Sequence, residues 1–346
     1  MRISRHAVFL VCVFLTAPAS LAPSAQTQTS ALRLVSTEWT PFTNQPGQAR
    51  FALDLVEAGL GRIGLSATTT LVEPARYTTA LLSGEFDGSG AAWKDAERER
   101  VLLFSQPYLE NRLILVARSG DTVSAAALSD LKGKRIAIVG GYSYGDEIDK
   151  AGATLMRSLG EEDSLALLLQ RKADYALMDD LVVQYIVQNY PNETRTRLSL
   201  GSKPLLTRTL HLAVRRTRPD AESIINRFNA QIRGMIVDRT YHRLLHVSWI
   251  RADIDGDGVA EFVPQSDSVG PAEPQRAYAV LSTDSSLRAS VSKEAKLSTP
   301  DDNKPRFYLG GNIYTDWANV PDLYKREDLR APDPDRSTAS LFRFTW

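Results

Sequence analysis

Segments typical of strands and of helices alternate along this chain from about residue 32 to residue 250, and this order restricts the fold more than any other feature. Apolar runs such as Leu32–Ser36 and Arg135–Val139 have the length of buried strands, and residues 51–63 carry apolar side chains at helical spacing. Strands that alternate with helices form parallel sheets covered by helices. We therefore predict an α/β fold whose ligand site lies at the loops that follow the strands.

The same patterns predict the remaining elements. A helix begins at Pro74 and ends at Gly84, a residue type common at helix C-termini. Further strands are predicted at 113–117, 174–178 and 210–214, and further helices at 165–172, 181–188, 219–237 and 240–249.

Charge and cysteine content exclude several classes of protein. The 346 residues include 41 Lys plus Arg and 41 Asp plus Glu, so the formal net charge is zero, which argues against nucleic-acid binding through a basic surface. A single cysteine excludes an intramolecular disulfide framework and a CxxC pair. The chain is predicted to be a globular protein of about two domains.

The first 25 residues have the pattern of a secretory signal peptide. Arg2 and Arg5 precede an apolar run at 7–15 that is too short to span a bilayer, and Ala19 and Ala25 are candidate cleavage positions. No later run is long enough to cross a membrane. We expect an exported, soluble protein without a membrane anchor, located in the periplasm.

The amino-acid composition of the chain changes after residue 250. Residues 265–305 are rich in Ser, Asp, Pro and Lys and are interpreted as a linker, and the aromatic segment 307–324 is expected to pack as a small unit. Phe342, Phe344 and Trp346 alternate as on one strand face, which we interpret as an edge strand or an unstructured tip and not as part of a barrel.

Several short strings occur in an order that is similar to a known family. They are WTPF at 39–42, FALDL at 51–55, LSGEFD at 82–87, Arg98 before FSQPY at 104–108, LKGKRI at 131–136, GGYS at 140–143 and DYALMD at 174–179. Together they resemble the polar-amino-acid family of periplasmic solute-binding proteins, the bacterial extracellular solute-binding proteins of family 3, over about residues 32–250.

The resemblance implies a two-lobed periplasmic-binding-protein-like fold of type II, each lobe a mostly parallel sheet flanked by helices, with a C-terminal extension. Lobe one would comprise residues 32–118 and 208–250, and lobe two residues 119–207. An acidic loop at 251–264 and a linker and tail at 265–346 would follow. The implied function is capture of a small polar solute, an amino acid or related small acid, by lobe closure for delivery to an ABC transporter permease. The protein would be a monomer, would not be an enzyme and would require no cofactor.

A receptor for a free amino acid must neutralise both a carboxylate and an ammonium, because burying either charge unpaired costs several kcal/mol. The resemblance implies that Arg98 and the hydroxyl of Ser143 bind the carboxylate, that Asp179 binds the ammonium, and that Trp39 covers the ligand side chain. From the residues alone, Arg98 could also form a solvated ion pair and Asp179 could cap the following helix.

Two residues depart from the family pattern. Asp95 stands where the family usually has Thr, and Trp93 stands where it usually has a small hydroxyl residue. An added acid and a bulky indole change the polarity and the volume of the pocket. We therefore expect a ligand that is cationic, unusually small, or not an amino acid.

A second interpretation of Ser143 is a hydrolase nucleophile. Residues 141–145 form a G-x-S-x-G string between a strand and a helix, and Asp179 and His211 follow in the order of an α/β-hydrolase triad. Against this, His211 lies inside an alternating apolar run, and no HGGG-type oxyanion segment is found upstream. A sensing role without a transporter is a further alternative.

The segment 253–261 has the spacing of a calcium loop. Carboxylates at positions 1, 3 and 5, a glycine at 6, a backbone carbonyl at 7 and Glu at 9 match such loops, whereas Pro264 replaces the bidentate Glu of position 12. We predict a structural calcium site here, with an acidic surface turn as the alternative. The candidate ligands are Asp253, Asp255, Asp257, Val259 and Glu261.

Overall fold

A computed structural model of the chain describes residues 31–194, 197–201, 203–270, 278–279 and 305–326. The predicted signal peptide and the alternating aromatic residues at 342–346 lie outside these ranges. Within them, no helix combines the length and the apolar character needed to cross a bilayer.

The strands of the described residues fall into two sheets. They are β1 (Leu32–Ser36), β2 (Ala67–Leu71), β3 (Gly88–Trp93), β4 (Leu102–Phe104), β5 (Leu109–Arg118), β6 (Arg135–Val139), β7 (Thr154–Ser158), β8 (Tyr175–Asp179), β9 (Leu198–Leu200), β10 (Leu206–Arg215), β11 (Trp249–Ala252), β12 (Glu261–Pro264), β13 (Tyr278–Ala279), β14 (Arg306–Leu309) and β15 (Asn312–Tyr314).

The large sheet contains β1 to β10 in the order β2-β1-β3-β10-β5-β8-β6-β7, with β4 on β10 and β9 on β5. Two parallel groups, β1 to β3 and β6 to β8, lie at its ends. The long antiparallel strands β5 and β10 join these groups, because β10 pairs with β3 and β5 pairs with β8. The predicted two-lobed α/β fold is confirmed. The lobe boundaries near residues 118 and 208 stay a prediction, since they fall at the end of β5 and inside β10.

Helices cover this sheet. They are α1 (Phe51–Arg62), α2 (Pro74–Ser83), α3 (Ala96–Glu99), α4 (Asp146–Asp149), α5 (Glu161–Leu169), α6 (Asp180–Asn189), α7 (Pro191–Thr194), α8 (Ala221–Val237) and α9 (Thr240–Leu245). Helix α2 ends at Gly84 in a left-handed conformation, as predicted. Helices α1 and α8 approach closely at Gly59, where a Cβ atom would lie 2.6 Å from the Phe228 ring.

The second sheet has the order β13-β11-β12-β14-β15. The helix predicted at 240–249 is wrong beyond Leu245: His246 adopts a left-handed φ of 53°, and Trp249 begins β11. The backbone N–H and C=O groups of β11 form hydrogen bonds with β12 in a hairpin, so this segment does not need the hydrogen bonds of a helix. Strands β14 and β15, from the aromatic segment 307–324 and its flank, extend this hairpin, and Phe307 packs in one cluster with Trp249.

Candidate ligand-binding cleft

Loops that follow five parallel strands meet between the two parallel groups. Each loop contributes polar or aromatic side chains to this cleft, because the carboxyl ends of parallel strands lie at one edge of a sheet. The contributing residues are Thr37 and Trp39 after β1, Asp95 and Arg98 after β3, Tyr142 and Ser143 after β6, Glu161 after β7, and Asp179 at the end of β8.

Aromatic rings from both sides of the cleft contact one another. The Trp39 ring centroid lies 5.5 Å from that of Trp93 and 5.7 Å from that of Tyr142, and Trp93 lies 5.4 Å from Tyr144. Phe42 packs behind Trp39 at 4.4 Å. The rings of Trp39, Trp93 and Tyr142 border a cavity of about 20 Å³, whose lining also includes Arg98 and Ser143. A cavity of this volume holds about one water molecule.

Arg98 is buried, with 3% of its surface exposed. Its Nη1 donates to the Trp93 carbonyl at 2.9 Å, and its Nη2 donates to Thr78 Oγ1 and to the Gly141 carbonyl at 3.3 Å each. Its Nε lies 3.3 Å from Asp95 Oδ2. The guanidinium predicted to bind a ligand carboxylate is thus surrounded by acceptors of the chain itself.

Asp95 links the two sides of the cleft. The hydroxyl of Ser143 donates to Asp95 Oδ2 at 2.5 Å, while Asp95 Oδ1 accepts from the Arg98 backbone N–H and so caps α3. A second link joins Thr37 Oγ1 and the Tyr142 hydroxyl at 3.0 Å. Both residues that were predicted to hold a ligand carboxylate, Arg98 and Ser143, therefore contact the carboxylate of Asp95.

Asp179 is 1% exposed and lies at the junction of β8 and α6. Its Oδ1 accepts the Leu181 backbone N–H at 2.8 Å, so the residue caps α6, whereas its Oδ2 accepts no hydrogen bond from the described residues. Burial, and then the nearby charge of Asp180, raise the pKa of Asp179. The Asn111 side-chain amide acts on the same carboxyl and lowers its pKa in part, but no described Lys, Arg or His forms an ion pair with Asp179.

Glu161, the first residue of α5, is a cleft residue that the sequence analysis missed. Burial raises its pKa to about 8, and the Trp39 indole N–H facing it lowers that value only in part. Its Oε2 is buried without a hydrogen-bond partner among the described residues. In sequence it begins an acidic run at a helix start, a pattern that ordinarily reflects the helix dipole. The signal that could have indicated its role is its position shortly after β7, because the loops that follow parallel strands line ligand sites.

The contacts of Ser143 and His211 do not form a triad. The Ser143 hydroxyl donates to Asp95, and the two ring nitrogens of His211 contact the Ser105 carbonyl and Thr209 Oγ1, each at 2.8 Å. Burial lowers the pKa of His211 to about 4. The hydrolase interpretation therefore has no supporting geometry, because the nucleophile and its base must share a hydrogen bond.

The predicted calcium loop lies between β11 and β12. Oxygen atoms of Asp253, Asp255 and Glu261 approach within 4.8 Å of one another, as metal ligands would. The guanidinium of Arg306, from β14, also lies among these acids: it is 2.5 Å from Asp257 Oδ2, 3.0 Å from Asp255 Oδ2 and 3.0 Å from Glu261 Oε1. The chain thus provides a cation of its own here, and calcium binding stays a prediction.

Comparison with known proteins places the chain among binding proteins. The model of the family described as bacterial extracellular solute-binding proteins, family 3, matches residues 34–251. A protein of Haemophilus influenzae named probable amino-acid ABC transporter-binding protein is 24% identical over 228 residues, or 64% of this chain and 85% of that protein. The resemblance seen in the sequence is confirmed.

Further similarities come from a sensor and from solved structures. The virulence sensor protein BvgS of Bordetella bronchiseptica is 28% identical over 150 residues, which are 42% of this chain but only 12% of the sensor. A mutant of ArgBP from T. maritima has a TM-score of 0.52 at 23% identity, covering 62% of this chain and 93% of that one. The GluR0 ligand-binding core with L-glutamate has a TM-score of 0.53 at 18% identity, covering 63% and 99%. These structures show the fold.

Proposed function

Because this chain belongs to the bacterial extracellular solute-binding proteins of family 3, we propose that it captures a small polar solute in the periplasm and delivers it to an ABC transporter. The solute is an amino acid or a related small molecule. The two lobes close over it in the cleft between the parallel groups of strands. This proposal gives the protein no catalytic role.

One observation carries this proposal: buried polar atoms at the ends of several strands around the cleft have no hydrogen-bond partner among the described residues. The indole Nε1 of Trp39, Glu161 Oε2 and Asp179 Oδ2 are all in this state among the described residues. Unsatisfied buried polar groups are costly, so they mark a site completed by a ligand. The similarity to the H. influenzae transporter-binding protein supports the same function.

The test is thermal unfolding of the purified protein with a broad panel of amino acids, amines and small acids. A ligand at 100 times its Kd stabilises the folded state by about 2.7 kcal/mol, which raises the melting temperature by several degrees. Absence of any shift across the panel would contradict the proposal.

A matched pair of variants locates the binding site. Asp179→Asn keeps the side chain that caps α6 but removes its negative charge, so it should abolish the ligand-induced shift and leave the unliganded protein folded. Asp180→Asn is the control, because Asp180 is already paired with Arg112 at 2.7 Å. Equal responses of the two variants would place the ligand elsewhere.

A sensing role is the second candidate, and the similarity to BvgS favours it. In that case the liganded lobes would contact a signalling partner instead of a permease. Genes for a permease and an ATPase beside the gene for this chain would favour transport, whereas a neighbouring kinase gene would favour sensing.

A further inference from the structure

The charge of Arg98 is already matched inside the cleft. Among the described residues that line the cavity, Arg98 is the only Arg or Lys. Its Nε pairs with the Asp95 carboxylate, and its other donors face the Trp93 and Gly141 carbonyls and Thr78. A ligand carboxylate would have to displace one of these acceptors to reach the guanidinium.

The second donor that could hold a ligand carboxylate is also in use. The hydroxyl of Ser143 donates to the same Asp95 oxygen that faces Arg98. Asp95 therefore occupies the position between a cation and a hydroxyl that a bound carboxylate would take. A second carboxylate brought within about 4–6 Å of Asp95 would meet like-charge repulsion.

Two of the buried groups without partners are carboxylates, and the Trp39 indole N–H is a donor in the same state. Asp179 ends β8 and Glu161 follows β7, so the two residues lie on either side of β6, and Asp179 Oδ2 and Glu161 Oε2 are buried and accept no hydrogen bond from the described residues. Burial is the main cause that raises the pKa of Asp179, and the charge of Glu161 adds a small contribution in the same direction. No described Lys, Arg or His forms an ion pair with either carboxylate. A ligand that completes the site must bring N–H donors and positive charge.

Aromatic rings form much of the rest of the cleft wall. Trp39, Trp93, Tyr142 and Tyr144 present ring faces or edges to one another across the cleft. The face of an aromatic ring attracts a cation within about 6 Å of its centroid. The aromatic rings and the carboxylates without an ion-pair partner thus both favour a positively charged ligand.

We infer that the cleft binds a protonated organic amine that lacks a carboxylate, and that Asp95 supplies from the protein the carboxylate that an amino-acid ligand would otherwise provide. This inference rests on the proposed solute-binding function and narrows its substrate class. Asp179 and Glu161 receive the ammonium groups, and the aromatic rings surround the carbon chain. Asp95 is the specificity-determining residue.

The experiment compares pairs of compounds that differ only by a carboxylate. Arginine and agmatine, lysine and cadaverine, and ornithine and putrescine are titrated by calorimetry into the full chain. We expect at least one amine to bind at least about tenfold more tightly than its parent amino acid, a difference of about 1.4 kcal/mol.

Variants at residue 95 test the assignment directly. Asp95→Thr removes the internal carboxylate while a hydroxyl can still cap α3, so it frees Arg98 and Ser143. We expect this variant to reverse the preference in favour of the parent amino acid. Glu97→Gln is the control, because Glu97 is an exposed acid of the same helix and should leave the preference unchanged. Asp95→Asn, which also keeps the cap, serves if the Thr variant fails to fold.

The outcomes separate this inference from the proposed function. Equal or tighter binding of the amino acids by the unmodified protein would overturn the inference and leave the solute-binding function standing. Binding of only neutral or acidic solutes would likewise overturn the inference and leave the solute-binding function standing. A preference that is unchanged in both variants at residue 95 would remove Asp95 as its cause. Failure of every solute in the broad panel would overturn the proposed function and the inference with it.

Discussion

Two groups of acids in this chain, each with at least one buried member, differ in how their charge is balanced. In the cleft, Glu161 and Asp179 each retain a carboxylate oxygen without a hydrogen-bond partner among the described residues. In the hairpin loop between β11 and β12, the guanidinium of Arg306 reaches Asp255, Asp257 and Glu261. Both groups include a glutamate that the fold withdraws from water, yet only the second has a cation from the chain.

In our proposal, this difference separates the ligand-binding site from a structural cluster of ion pairs. A buried carboxylate is tolerated when it is paired, or when it takes up a proton in the absence of a cation. Glu161, without a cation, has a pKa of about 8, so its charge is exchangeable near neutral pH. The loop acids instead fasten β14 to the hairpin. The following predictions test this contrast.

The largest effect is expected for Arg306→Met. The substitution keeps much of the side-chain length but leaves three carboxylates, including the fully buried Glu261, without their cation. Loss of one partner of a buried ion pair costs about 3 kcal/mol of the free energy of unfolding. Urea denaturation measures this loss.

The control for that variant is Arg76→Met. Arg76 and Glu85 form an ion pair 3.5 Å long in which both side chains are mostly exposed, so its loss should change the free energy of unfolding by less than about 0.5 kcal/mol. Equal effects of the two substitutions would refute the structural role of the Arg306 cluster.

A smaller effect, opposite in sign, is expected for Glu161→Gln in the ligand-free protein. The carboxyl has a pKa of about 8 in the folded chain against 4.5 as its ordinary value, so the folded state binds more protons between these limits. Its contribution to stability is complete below pH 4.5 and is lost as the pH rises to about 8. The variant lacks this loss, so its advantage over the unmodified protein should grow with pH and reach about 1–2 kcal/mol between about pH 5.5 and about pH 6.

Urea denaturation at several pH values measures the gain. The titratable groups that interact with Glu161 are Tyr142, Tyr144 and Asp179, and the pKa of each is raised. Because Asp179 remains in the variant, the free energy of unfolding should still change with pH, but less steeply. Glu162→Gln, at the exposed neighbouring position, should follow the unmodified protein at every pH. A slope unchanged by Glu161→Gln would mean that this carboxyl is ionised in the folded protein.

The smallest effect is expected from calcium. The loop lacks the carboxylate of position 12 and already holds Arg306, so we expect weak binding, with a Kd on the order of 10⁻³ M. Calcium at ten times that Kd should stabilise the protein by about 1.4 kcal/mol, and EDTA should remove this increment. Asp255→Asn should abolish the response, whereas Asp267→Asn, which alters an acid paired with Arg239 outside the loop, should retain it. A melting temperature that responds to neither calcium nor EDTA would leave Arg306 as the sole cation of the loop.

Much of the fold could be predicted because its signals are local. The run Arg135–Val139 and the Pro74 and Gly84 ends of α2 lie at the predicted positions, since apolar periodicity and helix-terminal residues act over a few residues. The prediction failed at Trp249, where apolar residues continue a helical pattern but pair instead with a strand that begins twelve residues later.

The sequence by itself determined the α/β alternation, the order of the family's motifs, and the residue types Arg98, Ser143 and Asp179 at the ends of strands. Only the tertiary structure decided how these groups are paired. Asp95 and Ser143 are 48 residues apart, and Arg306 and Asp255 are 51 apart, so no local pattern reports either contact. Glu161 likewise becomes a cleft residue only because β7 ends beside β6. Burial and counter-charge are properties of the folded chain, and here they distinguish acids without a cation from the described chain from acids that have one.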